Sequence, residues 1–145
     1  MTSIAYYISG HGFGHAVRSL EIIKSLKENS ADLKVHVKTT VPEWLVDHLP
    51  FPIFYERRTI DVGIVQPDSL EMDVEETLRA CQELHARIPS IVEEELAFIQ
   101  REKIRLVIGD VPPLCFEIAT RASLPSVAIT NFTWDWIYRA YLPEF

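Results

Sequence analysis

Five apolar residues, Ile4 to Ile8, run directly into Ser9-Gly10-His11-Gly12-Phe13-Gly14-His15, and an amphipathic segment from Ala16 to Lys27 follows without a break. A strand that empties through glycines into a helix restricts the chain to folds in which a helix returns along the face of a sheet. Glycines at such a turn also let a ligand approach bare backbone, and here two imidazoles stand at that spot.

The remainder of the chain repeats the alternation. Short apolar runs near Ile4–Ile8, Lys34–Lys38, Ile53–Tyr55, Arg105–Ile108 and Ser126–Ile129 read as strands, with helical periodicity between them. Ala16, Val17, Leu20, Ile23 and Leu26 form one stripe; Leu78, Cys81, Leu84, Ile88, Ile91, Val92, Leu96 and Ile99 form a longer one. Pro89 interrupts the longer stripe, and Ser90 with Glu93 has the spacing of a capping box, so the stripe is one kinked helix or two in sequence; we favour one kinked helix. Pro112-Pro113 predicts a short helix that ends before Leu124-Pro125. The pattern is α/β, a parallel sheet covered on both faces. Arg57 to Asp73 lacks periodicity and is long for a loop, which points to work on a ligand.

A chain of 145 residues with 48% hydrophobic and 24% charged residues suits one globular domain with a sizeable core. Its net charge of -7 and scattered Lys and Arg argue against nucleic acid or an anionic membrane surface as partner. Cys81 and Cys115 match no metal spacing, so free thiols in a reducing, cytoplasmic setting are expected, with neither zinc nor disulfide. The first apolar run is too short for a signal sequence or a membrane span.

Loops after the strands of an open α/β sheet share one edge, where ligands bind. Taken in order they bring His11 and His15, then Asp61 and Asp68-Ser69, then Gly109-Asp110, then Thr130-Asn131-Phe132-Thr133-Trp134-Asp135. Any one of these could be a cap or turn former. Four strand ends that all carry such groups point to a shared crevice. A dinucleotide fingerprint would need glycine where His15 stands and an acid where the second strand ends in Thr39-Thr40, and no Gly-Lys-Ser/Thr of a phosphate-binding loop follows. NAD binding and ATP hydrolysis are therefore not expected. Gly10, Gly12 and Gly14 are left as a close approach for a sugar or phosphate.

His15 suits a general base, with Asp110 as the carboxylate that fixes its tautomer; each is equally explained as a cap. Arg18, one turn after His15, faces either an anionic ligand or solvent. Trp134 and Trp136 either stack on a sugar or pack in the core. His36, His48 and His85, read as lying in a strand and two helices, receive no role.

The segments Tyr6 to Arg18, Asp61 to Leu70, Gly109 to Pro113 and Thr130 to Tyr138 resemble, in the same order, the N-terminal glycosyltransferase-like region of plant L-arabinokinases and its bacterial stand-alone relatives. Gly12 to His15 is also similar to the glycine-histidine turn of plant UDP-dependent glycosyltransferases. The resemblance implies the Rossmann-like, acceptor-binding N-terminal half of a GT-B fold, in which His15 deprotonates the acceptor and Asp110 orients it in an inverting transfer. From the glycine turn and the strand-end loops, Gly10, His11, Gly12, Gly14, Arg18, Asp68, Asn131, Trp134 and Asp135 are the expected substrate-binding residues. No metal is implied, and a nucleotide-sugar serves as co-substrate rather than cofactor.

GT-B enzymes hold that donor chiefly in a second domain, so the expectation is that residues 1–145 are one domain without the donor half and do not turn over alone. Two function classes follow: the acceptor half of a glycosyltransferase, or a non-catalytic domain that binds a sugar or sugar phosphate and regulates a fused or partner enzyme. An interaction module built on Trp134 and Trp136 is the weaker third. Any homodimer of the isolated domain would then be an artefact of uncovered apolar surface.

Overall fold

A computed structural model describes residues 1–68 and 70–141. Its first strand explains the architecture. In β1 (Ser3–Ile8) every residue is buried. Successive side chains of a strand point to opposite faces; Ile4, Tyr6 and Ile8 therefore join one hydrophobic cluster and Ala5 and Tyr7 the other. A strand apolar on both faces needs cover on both, and the helices provide it.

On one face lies α1 (Phe13–Asn29), which buries Ala16, Ser19, Leu20 and Ile23. Val17, expected on the inner stripe, is over half exposed. On the other face lie α2 (Val74–Glu102) and α3 (Leu114–Arg121). Asp73 starts α2 by accepting from the Glu76 amide at 2.8 Å, and Lys103 ends it in the left-handed conformation. Pro89 sits inside this single helix, so the stripe is one element. The capping-box spacing does not act as one, because Ser90 Oγ donates back to the Arg87 carbonyl at 2.9 Å.

The sheet is parallel throughout, in the order β3-β2-β1-β4-β5, where β2 is Lys34–Thr39, β3 is Phe54–Arg57, β4 is Ile104–Asp110 and β5 is Ser126–Ala128. This is a Rossmann-like sheet with helices on both faces, as in the N-terminal half of a GT-B fold. The chain moves outward from β1 to β3 and then returns to add β4 on the other side of β1. That reversal opens a crevice beyond the C-terminal ends of β1 and β4. A helix unforeseen by periodicity, α4 (Trp134–Arg139), ends the described chain. His48, expected on a helix, lies in the turn after a short 3-10 segment, Glu43–Leu45.

A charged cluster is sealed between β2 and α2. Glu95, 1% exposed, accepts from Tyr7 Oη at 2.6 Å and from Lys38 Nζ at 3.0 Å. Arg58 Nε lies 3.0 Å from the same carboxylate, and Lys38 Nζ also lies 2.9 Å from Glu56 and 3.6 Å above the Phe98 ring. Burial in this company pushes the Tyr7 phenol far above its usual range.

Candidate functional site

Ile8 and Asp110 are partners in the β1–β4 ladder, and the Ser9 amide donates to the Asp110 carbonyl at 3.1 Å. The sheet thereby fixes the backbone of Asp110 beside the glycine turn. After Asp110 the chain bends sharply through Val111, a β-branched residue held at φ 79°.

The Asp110 carboxylate is fully buried and turned into α1. Its Oδ1 lies 3.0 Å from His15 Nδ1, while Oδ2 accepts from Ser19 Oγ at 2.7 Å and Arg18 Nε at 3.1 Å. Arg18 Nη2 donates to Oδ1 as well. His15, Arg18 and Ser19 fall on one face because they are three and four residues apart. An Nδ1 that donates to Asp110 cannot accept the Arg18 Nη2 found 3.4 Å away, so that approach is a contact and not a hydrogen bond. Arg18 thus turns its guanidinium inward, although its side chain remains 36% exposed.

His11 is held by different means. Gly63 has φ 72°, and a Cβ there would come within 2.8 Å of the His11 ring, so the loop backbone lies flat against the imidazole. Trp134 meets the same ring edge-on with centroids 5.3 Å apart. Trp134 is itself buried, stacked on Tyr138, and donates from Nε1 to Asp61 Oδ2 at 2.9 Å; Tyr138 Oη donates to the Gly63 carbonyl at 2.8 Å. Desolvation holds His11 below the ordinary histidine range, opposed by the attraction of Asp61.

Asp61 is the residue whose weight the sequence did not convey. Its carboxyl is half-buried at the sheet edge beside the glycine turn, an environment that no spacing in the sequence announces. Desolvation raises it above the usual carboxylate range, against hydrogen bonds from the Ser9 hydroxyl and Trp134 and the charges of His15 and His11. Ser9 Oγ in turn accepts the His11 amide at 3.3 Å.

His11, His15 and Trp134 open on a cleft of about 610 Å³, walled otherwise by Ile64, Gln66, Met72, Phe132 and α4. Asp68, Asn131 and Asp135 are not among its walls. Asp68 closes its own loop by accepting from the Leu70 and Glu71 amides at 2.8 Å, which lowers its pKa. Asn131 and Asp135 are exposed, and the neighbouring Thr133 hydroxyl holds the Asp135 carboxyl below its usual range. Ser69 lies outside the described residues. The glycines divide by role. Gly10 fits tightly over Thr40, whose Oγ1 a Cβ would strike, whereas the space above Gly12 and Gly14 is open. Among the described residues there is no cluster of metal-ligating side chains, and no helix is long and apolar enough to cross a membrane.

Residues 2–138 match the family described as Glycosyl transferase family 1. The chain is 37% identical over 142 residues to L-arabinokinase of Arabidopsis thaliana, covering 95% of this chain but only 13% of that protein. In structure it is similar to UGT2 of Phytolacca americana, solved with UDP-2fluoro-glucose and pterostilbene, at TM-score 0.61 and 19% identity over 89% of this chain and 30% of that one. It is also similar to MurG of Acinetobacter baumannii, at TM-score 0.59 and 16% identity over 96% of this chain and 39% of that one. At such identities the structural likeness establishes the fold alone.

Proposed function

Because the chain belongs to glycosyl transferase family 1, we propose that it is the acceptor-side half of an inverting, sugar-nucleotide-dependent glycosyltransferase, related to the glycosyltransferase-like region of L-arabinokinases. The observation that carries this reading is the Nδ1 contact of His15 with a fully buried Asp110 at the mouth of the cleft. A base must be presented in one tautomer, and a carboxylate on Nδ1 leaves Nε2 as the basic nitrogen. The acceptor hydroxyl lies in the cleft and gives its proton to Nε2 as its oxygen attacks the anomeric carbon; the bond to the nucleoside diphosphate breaks as the new glycosidic bond forms. The donor is held by a second Rossmann-like domain that faces the crevice, in keeping with the larger size of the glycosyltransferases that share this fold.

The test is sugar transfer from a nucleotide-sugar by the full-length protein. His15→Ala is expected to lower the rate by ~10²-fold or more, the usual contribution of a positioned general base. Unchanged transfer would remove His15 from the chemistry. One observation favours a second reading, that of a non-catalytic sugar-binding domain: Asp110 is already satisfied by Arg18 and Ser19, as it would be in a purely structural role. Under that reading His15→Ala leaves transfer by any fused or partner enzyme intact and weakens only sugar binding.

A further inference from the structure

We propose that the cavity between β2, β3 and the last turns of α2 is an oxyanion site for the phosphate of a small phosphorylated molecule. Lys34, Arg101 and the Nε2 of His36 hold that phosphate. The cavity has a volume of about 320 Å³ and shares no lining residue with the His15 cleft.

Lys34, His36 and Lys38 alternate along β2 and therefore point to one face, where Phe98, Arg101 and Glu102 of α2 line the same cavity. His36 is clamped there, stacked on Phe54 with centroids 4.8 Å apart and meeting Phe98 edge-on at 5.2 Å. It is 6% exposed, and its Nε2 has no hydrogen-bond partner. A buried nitrogen left unpaired weakens a fold, and an ion that enters from solvent is one of the few ways to satisfy it.

The charges at this mouth do not cancel. Lys38 is answered twice, by Glu56 at 2.9 Å and by Glu95 at 3.0 Å. Among the described residues Lys34 and Arg101 have one carboxylate between them: Glu102 accepts from Lys34 Nζ at 2.9 Å through Oε2 and from Arg101 Nε at 3.2 Å through Oε1. The same Oε2 stands 3.8 Å from His36 Nε2, too far for a hydrogen bond. Lys34, Arg101 and His36 thus already converge on one oxyanion, with one positive charge in surplus. Glu102 is the last residue of α2 and its side chain is 25% exposed, so it can turn outward to admit a larger anion. The carbonyl end of that helix, which would repel an anion, is capped by the Lys103 amide.

Charge matching selects phosphate. A phosphate monoester carries close to two negative charges at neutral pH. One meets the surplus cation, and the other meets a proton taken up on His36. Burial and Lys34 above all, with Lys38, keep that imidazole below the ordinary histidine range against Glu102 and Glu56, and a bound dianion reverses the balance. A carboxylate has charge for the surplus alone and leaves His36 neutral. Phosphate, with about the bulk of five waters at ~30 Å³ each, fills roughly half of the cavity and leaves room for a small carrier.

The experiment follows the imidazoles of the isotopically labelled chain by NMR at constant ionic strength. Inorganic phosphate is expected to shift the His36 resonances saturably and to raise its titration midpoint by about one unit or more, the effect of an opposite charge within about 4–6 Å. Acetate should raise it by less than about half as much, and chloride should leave it in place. Glucose 6-phosphate should act as phosphate does and glucose should do nothing, since the phosphate is the group recognised. Arg101→Met, at a side chain 66% exposed, is expected to weaken the phosphate response about tenfold while His36 stays packed. Glu102→Gln removes the competing carboxylate and is expected to strengthen it. The proposal is overturned if phosphate leaves His36 unmoved, if acetate or chloride moves it equally, if either variant responds like the wild-type chain, or if the phosphate response is confined to His11 and His15. None of these results bears on whether His15→Ala abolishes transfer.

Discussion

Asp110 and Arg18, ninety-two residues apart, meet through both oxygens of one carboxylate, and His15 shares that carboxylate from the same helix. Removal of Asp110 therefore strands three donors at once. Asp110→Ala is expected to cost about 3 kcal/mol, the low end for breaking a buried ion pair because Arg18 is partly solvated. Urea unfolding measures it, and Asp110→Asn should retain part of the loss. A cost near zero would mean that α1 docks without this carboxylate.

Gly63 supports the His11 ring with bare backbone at positive φ. Gly63→Ala adds a methyl group where the ring stands and imposes a left-handed conformation on an L-residue, so a loss of about 1–3 kcal/mol is expected. The His11 ring resonances should shift with it, while those of His36, packed between Phe54 and Phe98, stay in place.

His36 is buried between Phe54 and Phe98 with its Nε2 unsatisfied, and burial together with Lys34 holds its pKa below the ordinary 6.5. A histidine whose folded pKa is lowered binds fewer protons in the native than in the unfolded state. Its contribution is therefore intact above pH 6.5 and is lost as the pH falls from there through the folded value. His11 adds to the same trend. His36→Phe is expected to change stability by under about 1 kcal/mol at pH 7.5 and to flatten the decline below pH 6.5 in denaturant titrations. An unchanged slope would exclude His36 as a source.

The Glu95 cluster calls for a double-mutant cycle. Glu95→Leu alone leaves Lys38 buried without its innermost partner and is expected to cost about 3–5 kcal/mol. Lys38→Met added to it should restore much of that loss, since a buried pair replaced by apolar groups of similar size is commonly neutral. Additive losses in thermal unfolding would show that the two side chains act independently.

The elements that bury a repeating apolar face were legible in the sequence, because β1, α1 and α2 each declare themselves through period. α4 was not, since Trp134–Arg139 is too short to show a stripe and its one buried residue, Trp134, belongs to the site. Pairing across the fold was legible only where topology forces it: His15 and Asp110 follow adjacent strands, so their meeting could be anticipated. The capture of Arg18 by that aspartate, and of Lys38 by Glu95 across fifty-seven residues, depends on which rotamers the packed core allows. Polar residues such as Asn131 and Asp135 share the right edge but not the cleft, because a strand-end position fixes where a residue is and not which way it faces.

The tether of α1 to β4 through Asp110 makes the integrity of the site and the folding of the domain a single cooperative event. A small molecule that grips His15 in this arrangement must draw the unfolding equilibrium toward the native side, by RT ln(1 + [L]/Kd) for a ligand that ignores the unfolded chain. A panel of hydroxyl compounds ranked by melting temperature therefore tests the proposed acceptor role before any donor or turnover is in hand.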